Sequence, residues 1–209
     1  MTDLYAEKGY GAVPVGFGAR LGILVVDFQK GFTDTRFRMA GSPLIEAAVA
    51  RTADLLKVAR TRGVPIAACA VGHPKDGSPH YWKSAAVLED LVLGSETLDL
   101  DPRIAEGGID FVFLKTGASA FFGTTVAGFF TRRGVDTVCV TGCVTSGCVR
   151  ASVVDSFQHG FRTMLVDDCC GDQEPQPHTD TLRDVGRRYA DIVTSSDVIQ
   201  RMMANTEVA

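Results

Sequence analysis

Apolar residues in this chain come in short runs, and several runs close on a polar residue. Leu21-Gly22-Ile23-Leu24-Val25-Val26 ends at Asp27, and Phe111-Val112-Phe113-Leu114 ends at Lys115. Val138-Cys139-Val140 leads into Thr141-Gly142 and a turn of small residues before Cys148. Short apolar runs bounded by turn-formers read as buried strands. Between the first two runs the period changes. Ser42-Pro43 offers a capping hydroxyl with proline at the first helical position. Leu44, Ala47, Ala48, Leu55, Leu56, Val58 and Ala59 then form one helical stripe, and Gly63 closes it before the next strand, Val64 to Val71.

A strand, a helix and a strand over 21–71 make a βαβ unit, whose strands are parallel. The alternation resumes after Lys115. The pattern predicts a helix over 122–133, a strand over 136–142, a helix from the Cys148 turn to Gly160 and a strand over 161–167. A helix over 178–189, a short strand at Ile192-Val193 and a last helix from Ser196 follow. The fold class expected is α/β: three-layer and doubly wound, a mostly parallel sheet of about six strands with helices on both faces. Residues 1–20 read as an N-terminal arm and 21–209 as a single domain, without repeat or linker. Gly16-Phe17-Gly18-Ala19-Arg20-Leu21-Gly22 is no dinucleotide fingerprint: its third glycine is misplaced, and it precedes a strand instead of following one.

The stretch 72–110 is the longest without a period. It holds Pro74, Pro79, the sole tryptophan Trp82, and Asp99-Leu100-Asp101-Pro102. Segments of that length form lids and pocket walls, or else a surface excursion, here with a short helix near Glu89.

The 209 residues are 45% hydrophobic, enough for one large core. Net charge is −4 without a basic patch, which argues against nucleic acid as a partner. No apolar run reaches the ~18 residues of a membrane span, and Met1-Thr2-Asp3-Leu4-Tyr5-Ala6-Glu7-Lys8 has no signal-peptide core, so a cytoplasmic location is expected. The arm and the apolar composition suggest a homo-oligomer, dimer or tetramer. Six cysteines stand at 69, 139, 143, 148, 169 and 170. Cys69, Cys139 and Cys143 read as small buried hydrophobes. Cys143 and Cys148 lack the second pair a zinc site needs. His73, His80, His159 and His178 are scattered.

Asp27, Lys115 and Cys148 all stand at carboxyl ends of strands, the edge where open α/β sheets bind ligands. Cys148 would open a helix, where unpaired N–H groups and the dipole favour a thiolate and an oxyanion; the alternative is a small buried residue. Asp27 is a candidate general base or a strand-end cap. Lys115 is a buried cation in need of a carboxylate, or a lysine reaching to the surface.

The chain resembles the isochorismatase-like cysteine hydrolases from about Gly18 to Arg201. The matching residues are Asp27-Phe28-Gln29, Lys115 with Ser119-Ala120-Phe121, and Thr141-Gly142 to Cys148-Val149. Gly147-Cys148-Val149-Arg150-Ala151-Ser152, Val153-Val154-Asp155 and His159-Gly160-Phe161-Arg162 are most similar to the N-carbamoylsarcosine and maleamate amidohydrolase branch. The resemblance implies an amidohydrolase in which Cys148 attacks, Asp27 moves the proton and Lys115 supplies charge, releasing ammonia from a small-molecule N-carbamoyl or amide substrate through a thioester. It implies an oxyanion hole from the backbone N–H groups of Val144 and Cys148 around a cis Cys143–Val144 peptide, with Thr145 holding the loop by its hydroxyl. Phe32, Trp82 and Phe121 are the pocket candidates. The family's nicotinamidases hold a metal through Asp-x-His, and this chain reads Val71-Gly72-His73 there, so neither metal nor cofactor is expected. The branch carries Gly-Asp-Arg after the fifth strand, its Arg gripping a carboxylate; this chain reads Gly171-Asp172-Gln173. Either Arg36, Arg38, Lys83 or Arg150 takes over, or the substrate is neutral at that end. The competing readings are an isochorismatase-type vinyl-ether hydrolase, a class that lacks the cysteine and against which Cys148 argues, and a non-catalytic binding member of the family.

Overall fold

A computed structural model describes residues 3–76 and 81–204. Pro79 and His80, singled out above, lie outside the described residues. The strands are β1 (Leu21–Val26), β2 (Ile66–Val71), β3 (Phe111–Lys115), β4 (Thr137–Cys143), β5 (Arg162–Gly171) and β6 (Asp191–Val193). They form one sheet in the order β3-β2-β1-β4-β5-β6, and every neighbouring pair is parallel. The helices are α1 (Leu4–Glu7), α2 (Lys30–Thr33), α3 (Pro43–Thr61), α4 (Ala85–Asp90), α5 (Pro102–Ala105), α6 (Val126–Arg132), α7 (Arg150–Gln158), α8 (Pro175–Gly186) and α9 (Ser195–Ala204).

Side chains along β1 alternate between two cores, as a strand's two-residue period requires. Ile23 and Val25 pack with Ile45 and Leu56 of α3, Ile104 of α5 and Val198 of α9. Leu24 and Val26 pack with Val126 and Phe130 of α6, Val153 of α7 and Val185 of α8. Both faces of the sheet are covered, which makes three layers. The chain leaves β1 through α3 on one face and β4 through α7 on the other. The crevice between β1 and β4 is therefore the topological switch point, the place where such sheets bind ligands. Two glycines permit close approach there. Any Cβ on Gly142 would come within 2.1 Å of the Val26 carbonyl, and one on Gly171 within 2.6 Å of the Ile45 backbone under α3.

Three expectations shift. The helix expected at 122–133 begins at Val126, because Ser119 Oγ accepts the N–H groups of Phe121 and Phe122 and Thr124 Oγ1 donates to Ala120 O. Those side-chain bonds satisfy the backbone in a turn instead of a helix. Helix α8 starts three residues early, at Pro175, whose missing N–H costs nothing at a helix start. Strand β5 runs on to Gly171, pairing Cys170 and Gly171 with β4 beyond an irregularity between Val140 and Gly142. The arm docks on its own domain. Asp191 accepts the N–H groups of Val15 and Gly16, Asp136 those of Ala19 and Arg20, and Arg201 donates to Gly18 O. Arg187 and Arg188 stack on Tyr5.

Candidate active site

Asp27 follows the last residue of β1 with φ at +53°, the left-handed region that Asp tolerates better than most residues. Its N–H donates to Cys69 O, and its carbonyl accepts from the Cys143 thiol at 3.2 Å. Neighbouring strands thus hold a backbone conformation that costs about 1–3 kcal/mol. Lys115 ends β3, and its ammonium reaches across β2 to the switch point. Nζ lies 2.8 Å from Asp27 Oδ2, 3.3 Å from Cys148 Sγ and 3.0 Å from Gly117 O. An ammonium has three protons, and three acceptors surround this one. The Cys69 thiol, 3.5 Å from Oδ1, approaches the carboxylate's other oxygen.

Asp27 and Lys115 are both fully buried at their side chains, and Cys148 is 8% exposed. Burial opposes the Lys115 charge, but the Asp27 carboxylate and the Cys148 and Cys69 sulfurs hold its pKa above the ordinary lysine range. The thiol of Cys148 goes the other way from the helix-terminus expectation. Burial first, then the Asp27 carboxylate, push it up to about 12, against the pull of Lys115. The physical reason is position: Thr145–Val149 form a wide turn and α7 begins only at Arg150, so Cys148 sits inside the site, beside a carboxylate. Burial thus favours the neutral thiol of Cys148, while the anionic groups around Lys115 favour its ammonium.

The turn is held from three sides. Ser152 Oγ donates to Cys148 O and accepts Ala120 N–H. Asp172, buried at the end of β5, accepts Ser146 N–H at 2.7 Å and Gln173 N–H at 2.8 Å. Thr145 Oγ1 lies 2.8 Å from His178 Nδ1. The Cys143–Val144 peptide is cis. The N–H of Val144 donates to no protein acceptor among the described residues.

Cys148 opens into a cavity of about 390 Å³. Phe32 of α2, Trp82 and Val87 from the 72–110 segment, Val144 and Gly147 of the turn, and Gln173 line it. That segment supplies the wall and also contains the short helix, α4. Gln29 fixes its far end, donating to Val71 O and Thr97 O while accepting Val71 N–H. Phe121 is a correction: it is 3% exposed and packs in the core against Phe161 and His159, because the 119–125 turn points it inward. Thr145 is wholly buried behind the turn and does not line the cavity.

Of the cations considered, Arg38 lines the cavity, with its guanidinium engaged by Glu89 at 2.8 Å and Asp90 at 2.7 Å. Arg36 is tied to Asp34 and Glu96 away from it. Lys83 lines an adjoining depression, and Arg150 is exposed. Gln173 Nε2 donates to Met39 O at 2.8 Å. Among the described residues no group of three or more His, Cys, Asp or Glu could share a metal ion. Both ring nitrogens of His73 face carbonyl oxygens, those of Pro74 and Val87. No described helix is long and apolar enough to cross a membrane. Gln29, Ser152 and Asp172 stand inside the motifs quoted above, but nothing in the sequence marks their roles, and His178 is there only one of four scattered histidines.

Comparison with known proteins agrees with this architecture. The chain is 37% identical over 198 residues to the maleamate amidohydrolase of Pseudomonas putida, covering 90% of this chain and 89% of that one. It is 29% identical to the N-carbamoylsarcosine amidase of Arthrobacter, covering 97% and 78%. The cysteine hydrolase of Pseudomonas syringae shares the fold with a TM-score of 0.80 at 19% identity, over 90% of this chain and 94% of that one. The family model described as the isochorismatase domain matches residues 22–197. With most of its length matched and its switch-point crevice built around three converging strand ends, the chain belongs to the isochorismatase domain family.

Proposed function

We propose that the protein is a cysteine-dependent amidohydrolase that releases ammonia from a small N-carbamoyl or amide substrate. The observation that carries this is the buried chain Asp27–Lys115–Cys148, at 2.8 and 3.3 Å, opening into a cavity of small-molecule size. The relatives named for maleamate and N-carbamoylsarcosine support the same reaction class.

In this reading Asp27 takes the Sγ proton as the sulfur attacks the substrate's carbonyl carbon. The Asp27 charge is neutralised as negative charge appears on the substrate oxygen, so the dry site stays near neutrality and Lys115 pairs with whichever anion is present. The N–H groups of Val144 and Cys148, both in the cavity wall, receive the oxyanion. Collapse breaks the C–N bond, Asp27 returns its proton to the leaving nitrogen, and ammonia departs. Water then attacks the thioester, Asp27 takes the water proton, and the acid leaves as Cys148 Sγ is reprotonated.

The test is ammonia release across maleamate, carbamoyl amino acids, ureides and simple amides, with wild type and Cys148→Ala. Turnover of at least one compound is expected, together with a thioester trapped by acid quench and mapped to Cys148 by mass spectrometry. More than a few per cent of activity left in Cys148→Ala would end the proposal.

A further inference from the structure

Thr145, His178 and Asp167 form a chain that the reaction above does not use. Thr145 Oγ1 is 2.8 Å from His178 Nδ1, and His178 Nε2 is 3.0 Å from Asp167 Oδ1. Thr145 belongs to the catalytic turn, His178 to the first turns of α8, and Asp167 to β5. The three therefore tie three elements together. Thr145 is fully buried and the His178 side chain is only 13% exposed, so solvent competes weakly for the bond between them; Asp167, 44% exposed, meets His178 at the protein surface.

The directions of the bonds follow from chemistry. A carboxylate only accepts, so Nε2 carries the proton toward Asp167. In the neutral ring Nδ1 is then an acceptor, and the Thr145 hydroxyl donates to it. Asp167 fixes the tautomer, the tautomer fixes the direction of the Thr145 bond, and that bond fixes the residue that follows Val144 in the chain. Asp172 holds the next residue through Ser146 N–H at 2.7 Å. None of these atoms touches Asp27, Lys115 or the Cys148 sulfur.

We infer that His178, oriented by Asp167, is a positioning residue: through Thr145 it holds the Val144 N–H where the oxyanion forms, without contributing to the making of the nucleophile. This role presupposes the acyl-transfer chemistry proposed above. A residue acting only on the oxyanion should alter kcat and leave substrate binding and thiol chemistry alone. Removing an oxyanion donor outright costs about 10²–10³ in kcat, and loosening one costs less, about 10–100-fold.

The experiment compares His178→Leu, His178→Gln, His178→Asn and Thr145→Val with wild type. The amide substrate is one the wild type turns over, and the rate at which iodoacetamide alkylates Cys148 is measured in parallel. Alkylation needs the thiolate but forms no oxyanion. Asparagine puts its amide oxygen near the place of Nδ1 and keeps an acceptor for Thr145; glutamine reaches toward Asp167 and loses it. The Leu, Gln and Val variants are expected to lose about 10–100-fold in kcat, with KM and alkylation rate within about twofold of wild type, and the Asn variant to recover most of the loss. The Thr145→Val/His178→Leu pair should be no worse than either single change, as expected of groups acting through one contact. Unchanged kcat in His178→Leu, an Asn variant as poor as Gln, losses that add in the pair, or alkylation falling in step with kcat would each overturn the role. If the wild type released no ammonia from any amide while Cys148 still alkylated, the proposed function would fall instead. Thermal unfolding of each variant separates both outcomes from a simple loss of fold.

Discussion

Replacing Asp27 by asparagine separates two properties that the buried group holds together, the charge balance of the site and its route for the proton. Asparagine keeps the shape and loses the charge. Lys115 Nζ then has no carboxylate at 2.8 Å, and its remaining anionic partner is the Cys148 sulfur at 3.3 Å. At an effective dielectric of about 20, a unit charge pair at that distance is worth about 5 kcal/mol. That is equivalent to between roughly three and four units of thiol pKa. Burial persists and opposes part of this, but the Asp27 carboxylate, the second of the causes that push the thiol up, is gone. A lone ammonium in a dry site is costly, and shedding the thiol proton cures it more readily than shedding the lysine proton, since thiols are intrinsically the more acidic.

The Asp27→Asn protein should therefore alkylate faster at Cys148, by at least ~10-fold at pH 8, with the midpoint of its pH profile displaced downward from the value of about 12 to which the native thiol is pushed. Ammonia release should fall by about 10²–10⁴-fold, because no group remains to carry the proton to the leaving nitrogen. The assay is the pseudo-first-order rate of iodoacetamide labelling from pH 6 to 10, mapped by peptide mass, beside ammonia release on one substrate. A variant that alkylates no faster than wild type would refute the charge argument, and one that keeps a tenth of its turnover would refute the proton route.

Gln173→Arg should move preference toward carboxylate-bearing substrates by at least ~10-fold in kcat/KM, about 1.4 kcal/mol, because Gln173 lines the same cavity as Cys148; an unchanged ratio between an acid-bearing and a neutral amide would refute this. The Asp136 carboxylate resists ionisation through burial, but the hydroxyl of Thr137 and the N–H groups of Ala19 and Arg20 outweigh that and lower its pKa. Its stabilisation is thus present above the unfolded carboxylate pKa and lost as pH falls through the folded one: Asp136→Asn should cost about 1 kcal/mol at pH 7 and progressively less as pH falls below the ordinary carboxylate pKa of about 4, and equal losses in urea titrations at neutral and acid pH would contradict it. Light scattering at micromolar concentration should show a dimer or tetramer. Val112 and Leu114, exposed at 57% and 51% on the edge strand β3, are the expected contact, so a Val112→Lys protein that keeps the wild-type mass would exclude that edge.

The fold and the three converging residues were legible because each depends on local pattern alone. An apolar run that stops at a charged residue locates a strand end, and alternation with helices makes the strands parallel, so Asp27, Lys115 and Cys148 had to reach one edge of one sheet. Phe121 was misplaced for an equally local reason that composition hides. Ser119 and Thr124 bond to the backbone and hold a turn where periodicity suggests helix, which turns the ring into the core. His178 was invisible for the opposite reason. Its link to Thr145 spans 33 residues and depends on where α8 starts, which Pro175 sets three residues earlier than the apolar stripe suggests.

The sign of the Cys148 shift shows what pattern cannot supply. A strand-to-helix cysteine promises helical N–H groups and a lowered pKa, yet the turn delays the helix to Arg150 and buries the sulfur beside Asp27. That arrangement suits a proton that must be used twice. In the proposed reaction such a thiol gives its proton to Asp27 as the substrate's own oxyanion begins to balance the charge. The same logic bears on the far wall. With Gln173 bonded to Met39 O, and Arg38 engaged by Glu89 and Asp90, the cavity wall presents, among the described residues, no guanidinium free of carboxylate partners. A substrate carboxylate there would compete with two resident ones, whereas a neutral amide or ureido group meets the carbonyl oxygen of Gln173 without disturbing either pair.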